Sequence, residues 1–304
     1  MFYANAYASR FLSAPDGLQL HMRDYGAPFD PGLPVVCLPG LSRNAADFGP
    51  LAAALAAGAA GRRRRVIAID YRGRGRSEHD RDWRNYSLAV ENADIVAMLI
   101  ASEISEAIFI GTSRGGLHIM ALAARMPTLL RGAVLNDIGP AIDSAGLTRI
   151  RLYLRHFVAP TTFADSIDYL KKTMSARFAG LSDADFERHA RASFERSDGS
   201  FGSTFDPDIV KPFEALDLDN PPPPAWALFD GLADIPLLAI RGANSDILSA
   251  ETLAEMARRH SHCETYIVSG QGHAPLLYDE ASIDRIADFV RRVEDREDLP
   301  APTF

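Results

Sequence analysis

The chain has 304 residues, 47% of them hydrophobic, and a net charge of -8 with a pI near 5.5. That is ample apolar material for a buried core in one large domain or two. The negative balance argues against nucleic-acid phosphates or an anionic membrane as the main partner.

No apolar run approaches the roughly 20 residues of a membrane span. The opening MFYANAYASRF has no basic start followed by an apolar stretch, so it does not read as a secretory leader. Cys37 and Cys263 are the only cysteines; with no disulfide framework available, both read as small packing residues in a reducing, cytoplasmic setting.

In chain order, RFLSAPDGLQLHMRDYG gives two short strand-like runs around a Pro-Asp-Gly turn, the pattern of a hairpin. LPVVCLPG (33–40) follows as a buried strand, NAADFGPLAAALAAGAAG as a helix and RRVIAID (64–70) as the next strand. The run RRRR (62–65) reads as arginines closing that helix rather than as a nucleic-acid patch in so acidic a chain. YSLAVENADIVAMLIASEI (86–104) is a second helix. The strand EAIFI (106–110), a helix over 116–126 and the strand RGAVLNDIG (131–139) come next.

Strands separated by helices imply a mostly parallel central sheet with helices on both faces. From Pro140 to Trp226 the alternation gives way to helical and irregular sequence, with LTRIRLYLRHF, FADSIDYLKKTMSARF and DADFERHARASF as its clearest pieces. Nine of the sixteen phenylalanines fall between 150 and 230, most of them expected to pack a small helical unit and some to face a site. PPPP (221–224) reads as a stiff linker, after which IPLLAIRG, SAETLAEMARRH, CETYIVSG and SIDRIADFVRRV resume the alternation. The expected organisation is a core of 1–139 and 227–304 interrupted by an insert over 140–226.

The stretch GTSRGG (111–116) places Ser113 at a strand-to-helix junction with glycines on both sides. A serine held in a tight turn needs that freedom around it, and the turn lifts its hydroxyl clear of the sheet. Such a serine requires a histidine base and an acid to orient it. His273, in the glycine-flanked loop SGQGHAPL (269–276) after a strand, has the right setting, because sites of open α/β sheets lie at the carboxyl ends of strands. His118, His156, His189, His260 and His262 read as packed or solvated residues; the spacing of His260, His262 and Cys263 fits no familiar metal site.

Two acids satisfy the order serine, acid, histidine. Asp246 in RGANSDIL is preferred, because its loop leaves one helix and one strand before His273, and Asp137 in LNDIG is the alternative. An oxyanion needs two preorganised N–H donors. The backbone of Arg114 supplies one, and Leu41 in LPGLS the other, since Pro39 has no N–H to give.

Together these residues resemble the α/β-hydrolase fold superfamily over 10–139 and 227–293: the elbow GTSRGG, the loop LPGLS, the acid in GANSD, the histidine in GQGHAP and the turn DYRGRGRS (70–77), read as structural. The chain departs from the pattern in having Pro39-Gly40 where many members have His-Gly. It also has Arg114 after the serine, a side chain expected in an ion pair before contact with an anionic substrate. The insert matches the position of the family's variable lid.

The resemblance implies a serine hydrolase of a small-molecule carboxylic ester or lactone, with no metal and no organic cofactor. Its alternatives are a hydrolase of carbon–carbon bonds in vinylogous diketones, a weaker cofactor-free perhydrolase reading, and a non-catalytic receptor or interaction module.

Overall fold

The computed structural model describes residues 7–214, 217 and 223–297. Its first half contains β1 (Ala8–Ser13), β2 (Gln19–Tyr25), β3 (Gly32–Leu38), α1 (Gly49–Ala56), β4 (Arg64–Asp70), α2 (Leu88–Ala101), β5 (Ala107–Thr112), α3 (Arg114–Arg125) and β6 (Leu130–Asn136). Helices α4 (Ser144–Arg155), α5 (Phe163–Met174), α6 (Asp183–Phe194) and α7 (Lys211–Glu214) follow. The chain continues with α8 (Trp226–Asp230), β7 (Leu237–Gly242), α9 (Ala250–Arg259), β8 (Cys263–Val268) and α10 (Glu280–Glu297).

The eight strands form one sheet in the order β1-β2-β4-β3-β5-β6-β7-β8, antiparallel at β1-β2 and β2-β4 and parallel across the rest. The hairpin turns where expected, with Gly17 at φ 90°. Period-2 alternation distributes the strand side chains between two cores. Val36, Leu38, Ala107 and Phe109 pack on one face with Ile95, Leu99, Ile119 and Met256. Val35, Cys37, Ile108 and Ile110 pack on the other with Leu51, Leu55, Phe289 and Val290. Because both faces are covered, these strands read as continuous apolar runs.

Two sequence expectations are corrected here. The stretch after β3 is not one helix: Ala45–Phe48 is a 3-10 turn capped by Asn44, and α1 begins beside Pro50, whose missing N–H is harmless in a first turn. The arginines at 64 and 65 do not close a helix but start β4. Arg64 is buried against Glu294 of α10 at 2.8 and 3.1 Å, and Arg65 holds Asp24 of β2 at 2.9 and 3.0 Å.

Helices α4, α5 and α6 fall on the three stretches singled out by periodicity and are capped by Asp143, Thr162 and Ser182. Leu170, Phe186, Ala190 and Phe194 give these helices a small core of their own. The segment leaves the sheet after β6 and returns toward β7 through a closed neck, where the Ala225 N–H donates to the Pro140 carbonyl at 2.7 Å. Pro221 and Pro222 of the expected linker lie outside the described residues.

Candidate active site

Ser113 occupies the single position between β5 and α3, at φ 52° and ψ -112°. A non-glycine residue rarely takes such a conformation, and here the neighbours enforce it. A Cβ on Gly111 would strike the backbone of Gly115, and one on Gly115 would strike the Leu38 carbonyl, so only glycines let the turn close against β3. The Ser113 N–H is fixed by the Asn136 carbonyl at 2.9 Å. Its Oγ lies 2.9 Å from Nε2 of His273, in the loop after β8.

The other ring nitrogen, Nδ1, lies 2.8 Å from Oδ2 of Asp137, not from Asp246. This corrects the preferred acid. Thr112 pairs with Asn136 across β5 and β6, which brings Asp137 level with Ser113. Asp137 is fully buried at φ 57°, and its carboxylate also accepts from the Gly242 N–H at 2.8 Å and from Ser245 Oγ at 2.6 Å. It is therefore saturated with donors, as a buried charge must be.

Asp246 belongs to the same loop as Ser245 but faces α4, where Arg149 holds it through two hydrogen bonds of 2.5 and 2.8 Å. Burial alone would raise its pKa; Arg149, with help from Arg177, keeps it below the ordinary carboxylate value. The residue that sequence reasoning missed here is Ser245, one position before the favoured aspartate.

Gly40 and Leu41 follow β3 and lie beside Ser113; a Cβ on Gly40 would sit 3.9 Å from that of the serine. The Leu41 carbonyl accepts from Arg74 Nε at 2.9 Å, and Arg74 Nη1 donates to Glu91 Oε1 at 2.8 Å. The Arg114 side chain turns away from the cavity and donates from Nε to the other oxygen of Glu91 at 2.6 Å, while its backbone begins α3, where N–H groups have no partner within the helix. His118 Nε2 lies 3.0 Å from the same carboxylate.

Burial opposes the charge on Glu91, but Arg74 and Arg114 hold its pKa well below the usual range. One buried acid thus ties together the loop after β3 and the helix after Ser113. A glutamate within the apolar pattern of α2 was the available signal for it.

Ser113, His273, Leu41 and the insert line one cavity of about 220 Å³. Ile150, Tyr153, Leu170, Met174, Phe178 and Phe194 form its apolar wall from α4, α5, α6 and the segment after α5. Among the described residues of the insert, Phe178 and Phe194 are the phenylalanines that reach it; Phe157, Phe163, Phe186 and Phe201 pack the insert itself. His189 also lines the cavity, with its pKa far below the ordinary histidine value through burial and the nearby Arg43 guanidinium. His260, by contrast, is spent on the Leu232 carbonyl at 2.8 Å. Among the described residues no helix is long and apolar enough to cross a membrane.

The family model described as "Alpha/beta hydrolase family" matches residues 35–289. The chain is 32% identical over 280 residues to a 3-hydroxybutyrate-oligomer hydrolase of Cupriavidus necator, covering 89% of this chain and 92% of that protein. It is 26% identical to an sn-1-specific diacylglycerol lipase of Xenopus tropicalis, covering 80% of this chain and 73% of the lipase. Among solved structures, an alpha/beta hydrolase from Novosphingobium aromaticivorans superposes with a TM-score of 0.85 at 37% identity, over 94% of this chain and 98% of that one.

Proposed function

The chain belongs to the alpha/beta hydrolase family, and we propose that it is a serine hydrolase that cleaves a carboxylic ester or lactone through an acyl-enzyme on Ser113. The observation that carries this reading is the continuous series Ser113 Oγ to His273 Nε2 at 2.9 Å and His273 Nδ1 to Asp137 Oδ2 at 2.8 Å. A serine hydroxyl is a weak nucleophile until a positioned base takes its proton. In this mechanism His273 Nε2 removes the proton as Oγ attacks the carbonyl carbon. Asp137 keeps Nδ1 protonated and stabilises the imidazolium.

The charge that develops on the carbonyl oxygen is met by the backbone N–H groups of Leu41 and Arg114. His273 then returns the proton to the leaving alcohol. A water molecule activated by the same imidazole attacks the acyl-enzyme, which releases the acid and restores Ser113.

The apolar wall supports a compact acyl or alcohol group, with the insert over 140–226 acting as a lid that excludes water from it. The relative from Cupriavidus necator is named for 3-hydroxybutyrate oligomers, which are linear esters of a short hydroxy acid. We take such short hydroxyacid esters as the first substrates to test. A fluorophosphonate probe is expected to label Ser113 in the wild type and nothing in Ser113→Ala, with mass mapping as the check. Turnover of a panel of aryl esters, lactones and 3-hydroxybutyrate oligomers should vanish in the same variant. Turnover confined to dienone diketones would replace ester cleavage by carbon–carbon bond hydrolysis, and an unlabelled Ser113 with no turnover would refute catalysis.

A further inference from the structure

Four arginines, Arg43, Arg149, Arg177 and Arg188, line the cavity of a chain whose overall charge is -8. Three of them are matched to a carboxylate: Arg43 to Asp47, Arg149 to Asp246 and Arg188 to Asp185. Arg177 is not. Among the described residues its side chain has one hydrogen bond, from Nη2 to the Thr173 carbonyl at 3.3 Å, and no carboxylate at ion-pair distance.

Its place is well defined. The Arg177 N–H donates to the Met174 carbonyl at 2.9 Å, its own carbonyl accepts from Asn244 Nδ2 at 3.0 Å, and its stem packs on Gly272, where a Cβ would come within 2.9 Å of the Arg177 Cβ. Gly272 is the residue before His273, so an unmatched guanidinium stands next to the loop that carries the base. Partial burial and the neighbouring Arg149 guanidinium both disfavour its charge, with Asp246 offsetting part of this. A half-buried cation in such surroundings is stabilised by an anion that fills the remaining positions of its donor fork.

We propose that Arg177 is a substrate-recognition residue, and that the substrate is an ester bearing a free carboxylate on the same short chain as the bond that is cleaved. The inference rests on the ester-hydrolase reading and narrows it to anionic esters. The planar guanidinium fits a carboxylate with two parallel N–H donors, whereas the apolar wall formed by Tyr153, Leu170 and Phe178 takes the carbon chain between carboxylate and ester. A neutral ester of the same shape would leave Arg177 unmatched in the bound state.

The test compares the linear dimer of 3-hydroxybutyrate as free acid with the same dimer capped as its terminal primary amide, in wild type, Arg177→Gln and Arg177→Lys. The readout is the ratio of kcat/KM for acid over amide. Wild type is expected to favour the acid, and Arg177→Gln to lower the ratio roughly 10- to 100-fold, mainly through KM, as for loss of a charge-assisted hydrogen bond. Arg177→Lys should recover part of it, because the charge returns without the planar fork.

A merely structural role would lower both substrates together and leave the ratio unchanged, which would overturn the proposal. Calorimetric binding of the acid to Ser113→Ala, with and without Arg177→Gln, reads recognition apart from turnover; equal affinities would also overturn it. If Ser113 is labelled by the phosphonate and neutral aryl esters are cleaved without any preference for the acid, this inference fails alone. If Ser113 is neither labelled nor required for turnover, the hydrolase reading fails and takes this one with it.

Discussion

At the scale of single residues, the choice between two aspartates separates what chain order can tell from what register decides. Both Asp137 and Asp246 follow a strand and precede His273 in sequence, so position along the chain does not distinguish them. In space Asp137 leaves β6 level with Ser113, while β7 runs on past the Asn136–Ile240 pair to Gly242 before its loop begins. Asp246, further along that loop, is instead held by Arg149 of α4.

Asp137→Asn is expected to slow acylation by about a thousandfold or more, because an amide lets the imidazole take the wrong tautomer. Asp246→Asn should cost less than about tenfold; burst kinetics with an activated aryl ester would measure both, and the reverse order would reinstate Asp246. Ser113 and His273 were legible because glycine-rich loops after strands are local signals. The aspartate that meets His273 was not, because register between β6 and β7 is a non-local property and the partner that holds Asp246 aside, Arg149, lies 97 residues before it in the chain.

Among elements, the helices of the insert were legible from their periodicity and caps, but not which of their faces would meet Ser113. That depends on packing between α4, α5 and α6. Phe178 belongs to the cavity wall, whereas Phe186 and Phe201, with the same composition signal, serve the insert's own core. Phe178→Ala is expected to shift ester preference toward longer chains, visible as a higher ratio of kcat/KM for octanoyl over acetyl esters, at a stability cost of about 3 to 5 kcal/mol.

The carboxylate that joins α2 to α3 and to the loop after β3 has a separate pH signature. Glu91 is held below its ordinary pKa of about 4.3, so its contribution to stability is fully present above that value and is lost as pH falls toward the folded-state pKa. Glu91→Gln leaves Arg74 and Arg114 without their buried counter-charge and is expected to destabilise by about 3 to 5 kcal/mol at pH 7. In urea unfolding the gap from wild type should narrow as pH falls below about 4, and a gap independent of pH would contradict the ion-pair account.

For the whole molecule, the layered plan was legible because both faces of the sheet impose their pattern on the sequence, yet the tie between the two halves of the core was not. Arg64 and Glu294 are 230 residues apart and meet in the interior, joining β4 to α10 across the insert. Glu294→Ala leaves Arg64 charged and unmatched, and should lower stability by about 3 to 5 kcal/mol. The closed neck at Pro140 and Ala225 bears on a different matter, the history and redesign of such chains. Since departure and return meet at one hydrogen bond, the sheet experiences everything between them as a loop of almost no span. Closing a flexible loop costs only about 0.6 kcal/mol more for each doubling of its length. Segments of very different size can therefore be exchanged at this point without stretching the frame that holds Ser113, Asp137 and His273, so a new specificity can be grafted as a cassette.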